Sequence, residues 1–176
     1  LSELTFDDRY ATLRGISEQE IHDNFEQDVL ALAEKQSVSL DEMYARLKKQ
    51  YDGYHFSEEM RGVYNPFSLL NALDKQKIDD YWFSTGTPSY LVELFKRNKM
   101  NLLNLEDLHY SVAQLSDVDS FQRDVIPLLY QSGYLTLVEY EKEFHRYQLG
   151  FPNSEVERGM MNFFIPFYCQ TRQTTE

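Results

Sequence analysis

YDGYHFSEEMRGVYNPFSLLNALDKQKIDDYWFSTGTPSYLVELFKR, residues 51–97, is the stretch around which the rest of the chain is read. Asp52-Gly53 is a turn signal, because glycine takes positive φ without steric cost, and it is gripped between Tyr51, Tyr54 and Phe56. Asn65-Pro66 and Thr87-Pro88 each set a polar N-cap before a proline, whose missing N–H costs nothing at the first helical position. Short helices are therefore predicted from near Pro66 and from near Pro88. Between them runs Tyr81-Trp82-Phe83-Ser84-Thr85-Gly86, aromatic at first and small and polar at its end. Aromatics at this density bury large apolar areas while their hydroxyls and the indole N–H seek partners.

Upstream, Leu1 to Gly15 is expected to be irregular. Ser17-Glu18-Gln19-Glu20 is a capping-box signature, and Ile21, Phe25, Val29 and Leu32 follow at helical spacing, which predicts a helix over about 18–35. A second box, Ser39-Leu40-Asp41-Glu42, opens another helix that turns Leu40, Met43, Tyr44 and Leu47 toward the core. The two form an αα-hairpin that delivers the chain to Tyr51.

Downstream, Asn98 to Val112 has leucines without a clean period, which suggests one short helix and an extended piece. Ser116 or Asp117 is a candidate cap for a helix running to Gln131, with Phe121, Val125, Leu128 and Leu129 on its apolar side. Pro127 falls inside it and should kink it or shift its start, and Gly133 is placed to stop it. The β-favouring runs 134–140 and 144–150 predict a hairpin, and Val156, Met160, Phe163, Phe164 and Phe167 mark one face of a final helix after Pro152-Asn153. The end, 171–176, is polar and expected to fray. The expected architecture is mainly α with a small β-hairpin. A helical lobe over residues 1–100 precedes a winged-helix-like lobe over 101–151, with any break between about Arg97 and Ser116, and 152–176 is a helix leading onward.

A chain of 176 residues with 42% hydrophobic content can build a core, and its formal net charge of −12 opposes non-specific attraction to phosphate or anionic lipid. The lone Cys169 permits no internal disulfide, so a reducing cytoplasm is the expected compartment. No apolar run approaches the roughly 20 residues needed to cross a bilayer, and LSELTFDDRY lacks the pattern of a signal peptide. The first residue is Leu, which suggests a piece of a longer protein.

The blocks YDGYHFS, VYNPFSLLNAL and YWFSTGTPSYLVELFK, in this order and spacing, resemble the bacterial AAA-ATPase-like family of uncharacterised multidomain proteins. The likeness extends more weakly to 13–18, 128–135 and 149–153, and so covers most of the chain. It implies that a P-loop ATPase core precedes this region and that a nuclease-like domain of the PD-(D/E)XK superfamily often follows. ATP and Mg are implied only for that upstream core. No cofactor is expected in this chain, because it has no G-x-x-x-x-G-K-[ST] pattern and no Asp or Glu followed two positions later by Lys.

The four histidines, His22, His55, His109 and His145, are too scattered for ligand spacing, and Asp79-Asp80 and Glu58-Glu59 are expected to be solvated. No catalytic or metal-ligating residue is therefore assigned. The candidates for a contact or sensor role are Asp52, Tyr54, His55, Asn65, Trp82, Ser84, Thr85 and Thr87. The plainer account is that Asp52 and Asn65 hold turns and caps while Thr87 starts a helix. The rival is a lid that senses nucleotide state.

Three functions are weighed, the first being what the resemblance implies once both catalytic motifs are missing from this chain. The first is a non-catalytic connector that couples an ATPase core to a nuclease-like domain, its partners being the flanking domains of the same protein, with an oligomer left open. The alternative is a winged-helix nucleic-acid-binding module, opposed by Glu139, Glu141 and Glu143 in the hairpin against Lys142 and Arg146. The weakest is an independent enzyme with a site at Asp52 and His55, for which no nucleophile is visible.

Overall fold

The computed structural model describes residues 15–84, Glu93, 108–117 and 124–172, with backbone alone at Ser84 and over 165–172. The expectations for Leu1 to Arg14, for a helix from Pro88, for residues 98–107 and for Phe121 lie outside the described residues.

Helix α1, Glu18–Lys35, opens on the predicted capping box. Ser17 Oγ accepts from Glu20 N at 3.2 Å, and Glu20 Oε2 accepts from Ser17 N at 2.8 Å. The bonds that the Glu20 carboxylate accepts from Ser17 N and Ser17 Oγ hold it below its ordinary pKa. Helix α2, Leu40–Tyr51, keeps only the serine half of its box. Ser39 Oγ accepts from Glu42 N, while the Glu42 carboxylate is turned one helical step onward to Arg46 at 2.5 Å. The reach to a guanidinium wins over the reach back to a backbone N–H. Helix α3, Pro66–Lys75, starts as expected, with Asn65 Oδ1 accepting from Phe67 N and Ser68 N. Ile21, Val29, Leu32, Met43, Leu47, Tyr51, Tyr64, Leu69 and Ala72 from these helices and their joints form one core cluster.

The second cluster is built around a three-stranded antiparallel sheet of order β1-β3-β2, made from β1, His109–Tyr110, β2, Thr136–Glu141, and β3, Arg146–Gly150. The predicted hairpin is present, and β1 adds to its outer side through His109 opposite Gln148 and Tyr110 opposite Tyr147. A two-residue strand carries no readable periodicity. A bulge between Leu137 and Glu139 breaks the in-and-out alternation of β2, so Thr136 and Leu137 are both buried while Val138 is exposed.

Between β1 and β2 the sequence reading needs correction. Ser116 and Asp117 end a helix, α5, Val112–Ser116, which Ser111 caps in a box with Gln114. The helix that runs to Gln131, α6, starts at Ile126 rather than near Asp117, with Asp124 Oδ1 accepting from Ile126 N. Pro127 sits in its first turn, the position where its missing N–H is harmless. Gly133, at φ +79°, ends α6 as expected, with Gly133 N donating to Tyr130 O and Tyr134 N to Leu129 O. Among the described residues a strand, two helices and a hairpin follow in this order, which makes the unit winged-helix-like.

Helix α7, Ser154–Arg172, buries Val156, Met160 and Phe164 in the second cluster and also packs on α2 and on the short helix α4, Tyr81–Ser84. The aromatic run at 81–84 is thus a helical turn, and it lies on α7 where Gly159 leaves room, since a Cβ there would come within 2.2 Å of the Phe83 ring. The fold is mainly α with a small antiparallel sheet. Among the described residues no helix is long and apolar enough to cross a membrane.

Candidate functional site

The end of α2, the loop 52–65, the segment 79–82 and the start of α7 converge on one polar joint, buried at Asp52, Asn153 and Glu155 and open to solvent at Arg158. Its centre is the predicted Asp52-Gly53 turn. Gly53 has φ +98°, and a Cβ there would fall 1.9 Å from Pro152 O, so both the backbone conformation and the closeness of the neighbouring chain require glycine. That closeness brings Asn153 Nδ2 to Asp52 O at 2.9 Å. Asn153 also starts α7, accepting from Val156 N on its side chain and from Glu157 N on its carbonyl.

The Asp52 carboxylate is 7% exposed and faces Gly62, with Lys48 Nζ at 4.0 Å from Oδ2. Burial raises its pKa, against the opposing pull of the Gly53 N–H and of Lys48. Tyr54 projects its hydroxyl among the Asn65 and Asn153 side chains, and burial pushes it up to about 12. His55 ties the loop to the sheet: its N–H donates to Thr136 Oγ1 at 2.8 Å, and Thr136 Oγ1 donates back to His55 O at 3.3 Å. His55 Nδ1 lies 2.8 Å from Leu137 O; a carbonyl only accepts, so Nδ1 carries a proton.

On the other side of the joint, Glu155 is fully buried in the first turn of α7, and its Oε1 accepts from Trp82 N at 2.6 Å. Burial raises its pKa, although backbone N–H groups of Trp82 and Phe83 favour the ionised form. Ser68 lies close to the carboxylate without meeting it in a hydrogen bond. Beside it, Arg158 Nη2 donates to both Asp80 Oδ1 at 2.7 Å and Gln50 Oε1 at 2.9 Å, and Gln50 Nε2 donates to the same Asp80 oxygen at 2.8 Å. Tyr51 completes the set, its hydroxyl donating to Asp79 O and accepting from Asp79 N.

Of the residues singled out from sequence, Asp52, Tyr54, His55 and Asn65 come together here, and Trp82 contributes its backbone N–H while its ring packs 5.0 Å from that of Tyr134. Ser84 is described by its backbone alone, in α4. Thr85 and Thr87 lie outside the described residues. Asp80 is not the solvated carboxylate expected; it anchors the link from α2 to α7. Gln50, Asn153 as a joint residue, Glu155 and Arg158 were missed. Asn153 had a local signal, a capping residue just before an acidic first turn, but the partners of the others are far away in sequence. Chemically the arrangement holds elements together. Among the described residues no three His, Cys, Asp or Glu are grouped so as to hold a metal.

Fold and site define a mainly α protein with a small three-stranded antiparallel sheet, its elements tied together through a partly buried polar joint. No family model and no solved structure matches the chain. It is 32% identical over 162 residues, 91% of its length, to a protein of Azotobacter chroococcum mcd 1 described as an uncharacterized protein in the vnfD 5' region. The chain spans only 29% of that relative's length.

Proposed function

We propose that this chain is a non-catalytic connector within a longer AAA-ATPase-like protein, passing movement of an upstream ATPase core to a downstream nuclease-like domain by contacts. The observation that carries the reading is the joint itself. Asn153, Glu155 and Arg158, all at the start of α7, are hydrogen-bonded to Asp52, to Trp82 and to Gln50 and Asp80 respectively. Displacement of α2 therefore pulls on the first turn of α7, the helix that leads toward the chain's end. Polar contacts that run from the buried Asn153 and Glu155 to the partly exposed Arg158–Asp80 pair hold one arrangement against its neighbours, which is what a coupling element needs. The resemblance of the 51–97 blocks supplies the ATPase and nuclease context, and the greater length of the relative is compatible with flanking domains. ATP and Mg belong, in this reading, to the upstream core, and the compartment is the cytoplasm.

The test uses full-length protein. Asn153→Ala is expected to leave basal ATP turnover per folded molecule intact while abolishing the ATP dependence of nucleic-acid cleavage. Unchanged coupling in a folded variant would remove the proposal, as would ATP hydrolysis by the isolated 176-residue chain.

A second reading, nucleic-acid binding by the winged-helix-like unit, is favoured by the β1-β3-β2 strand order. Charge opposes it: α6 reads IPLLYQ, without Lys or Arg, and Arg146 in the hairpin is already engaged by Glu141. A gel shift on duplex DNA at low salt is expected to show no complex. Tight binding that weakens steeply with added salt would reverse the order of the two readings.

A further inference from the structure

Phe144, in the turn between β2 and β3, is 59% exposed, more than any other large apolar side chain among the described residues. The turn that presents it is built on both sides. Arg146 forms a salt bridge with Glu141 across the last strand pair before the turn, and its guanidinium lies over the Phe144 ring at 4.7 Å from the centroid. His145 adopts left-handed backbone at φ +47°, with its Nδ1 3.1 Å from Tyr140 Oη, and the Tyr140 ring packs 4.7 Å from that of Tyr147. The ring is therefore held outward, with one face on Arg146 and the rest in solvent. An anchor fixed in this way loses little conformational entropy when it is buried by a partner.

The charges around it select the partner. Arg146 is neutralised by Glu141, which leaves Glu139 and Glu143 exposed against Lys142, and Glu58 reaches the Tyr140 hydroxyl from the neighbouring loop. Three carboxylates thus surround the tip against one lysine, on a chain of formal net charge −12. Phosphate and anionic lipid are repelled from such a surface, and another copy of the same tip would meet like charge.

We propose that the β2–β3 hairpin is a docking element that inserts Phe144 into an apolar recess rimmed by lysine and arginine on a protein partner. The inference is independent of the coupling role and survives its failure.

The experiment places the photoreactive residue p-benzoylphenylalanine at position 144 of the full-length protein in its host cell, with the same residue at Val112, 37% exposed, as control. After irradiation the joined peptides are read by mass spectrometry. The expected result is a crosslink from position 144 to a protein segment of net positive charge, about fivefold above the Val112 control, that falls about fivefold when Glu139 and Glu143 are both changed to lysine. Glu139→Gln with Glu143→Gln gives a milder loss in the same direction and serves if the double reversal does not fold. A yield no greater than the control overturns the proposal. So does attachment to nucleic acid, lipid, a neutral or acidic segment or a second copy of this chain, and so does indifference to the charge changes.

Discussion

The side-chain amide of Asn153 donates to the main-chain carbonyl of Asp52 at 2.9 Å, across 101 residues of sequence. One residue thereby both starts α7 and fixes it to the end of α2, because its Oδ1 accepts from Val156 N while its Nδ2 reaches Asp52.

Asn153→Ala removes a helix cap and a buried hydrogen bond together, and should destabilise the protein by about 1–3 kcal/mol. Asn153→Ser keeps a capping oxygen for Val156 N and loses the donor to Asp52 O without placing a buried charge against that carbonyl. Urea unfolding of the two variants checks the ranking, with the alanine form expected to have the lower midpoint if both roles count.

Among the described residues two glycines have positive φ, and they differ in surroundings. At Gly53 a Cβ would fall 1.9 Å from Pro152 O, whereas at Gly133 the nearest atom, Tyr54 Cε1, is 3.6 Å away. Gly133→Ala should cost about 1–2 kcal/mol from backbone conformation alone. Gly53→Ala adds a backbone collision and should cost more than about 3 kcal/mol or prevent folding. Thermal unfolding midpoints of the two variants make the comparison, and equal losses would contradict the packing at Pro152.

Burial raises the pKa of Glu155 in the folded chain, so the folded state holds its proton to higher pH than the unfolded state. Its contribution to stability is then present below the unfolded carboxyl pKa and lost as pH rises through the folded value. Glu155→Gln keeps an oxygen for Trp82 N and removes that loss. Stability of the variant relative to wild type should therefore increase as pH rises from about 4 toward neutrality. Chemical denaturation across that range measures it, and parallel curves for the two proteins would argue against a proton on Glu155.

Thr136 both accepts from His55 N and donates to His55 O. Thr136→Val preserves shape and removes both bonds, at an expected cost of about 1–3 kcal/mol, because the His55 backbone groups lose their partner. Hydrogen exchange at the His55 amide should accelerate in the variant; unchanged exchange would mean that the loop is held to the sheet by other contacts.

The first two helices and the start of the third were legible because their signals are local. Ser17 and Glu20, Ser39 and Glu42, and Asn65 with Pro66 each act within three residues of one another. The hairpin was legible for the same reason, and Gly133 as a stop. The start of α6 was not, since its N-cap is Val125, which has no capping side chain, and only the path of the chain brings Asp124 Oδ1 to Ile126 N. Among the candidate site residues, Asp52, Tyr54, His55 and Asn65 stood out by composition, and the turn and cap roles proposed for Asp52 and Asn65 are those they have.

By itself the sequence determined the local elements: caps, turns and apolar faces are set by residues a few positions apart, whose interactions form in any context that lets the helix or hairpin exist. Only the tertiary structure decided the joint. Glu155 meets Trp82, Arg158 meets Gln50 and Asp80, and Asn153 meets Asp52, at separations of 73 residues or more. No local pattern encodes such pairs. They exist because packing α7 against α2 and α4 buries polar groups whose water must be replaced, and the groups that happen to face one another there supply the replacement.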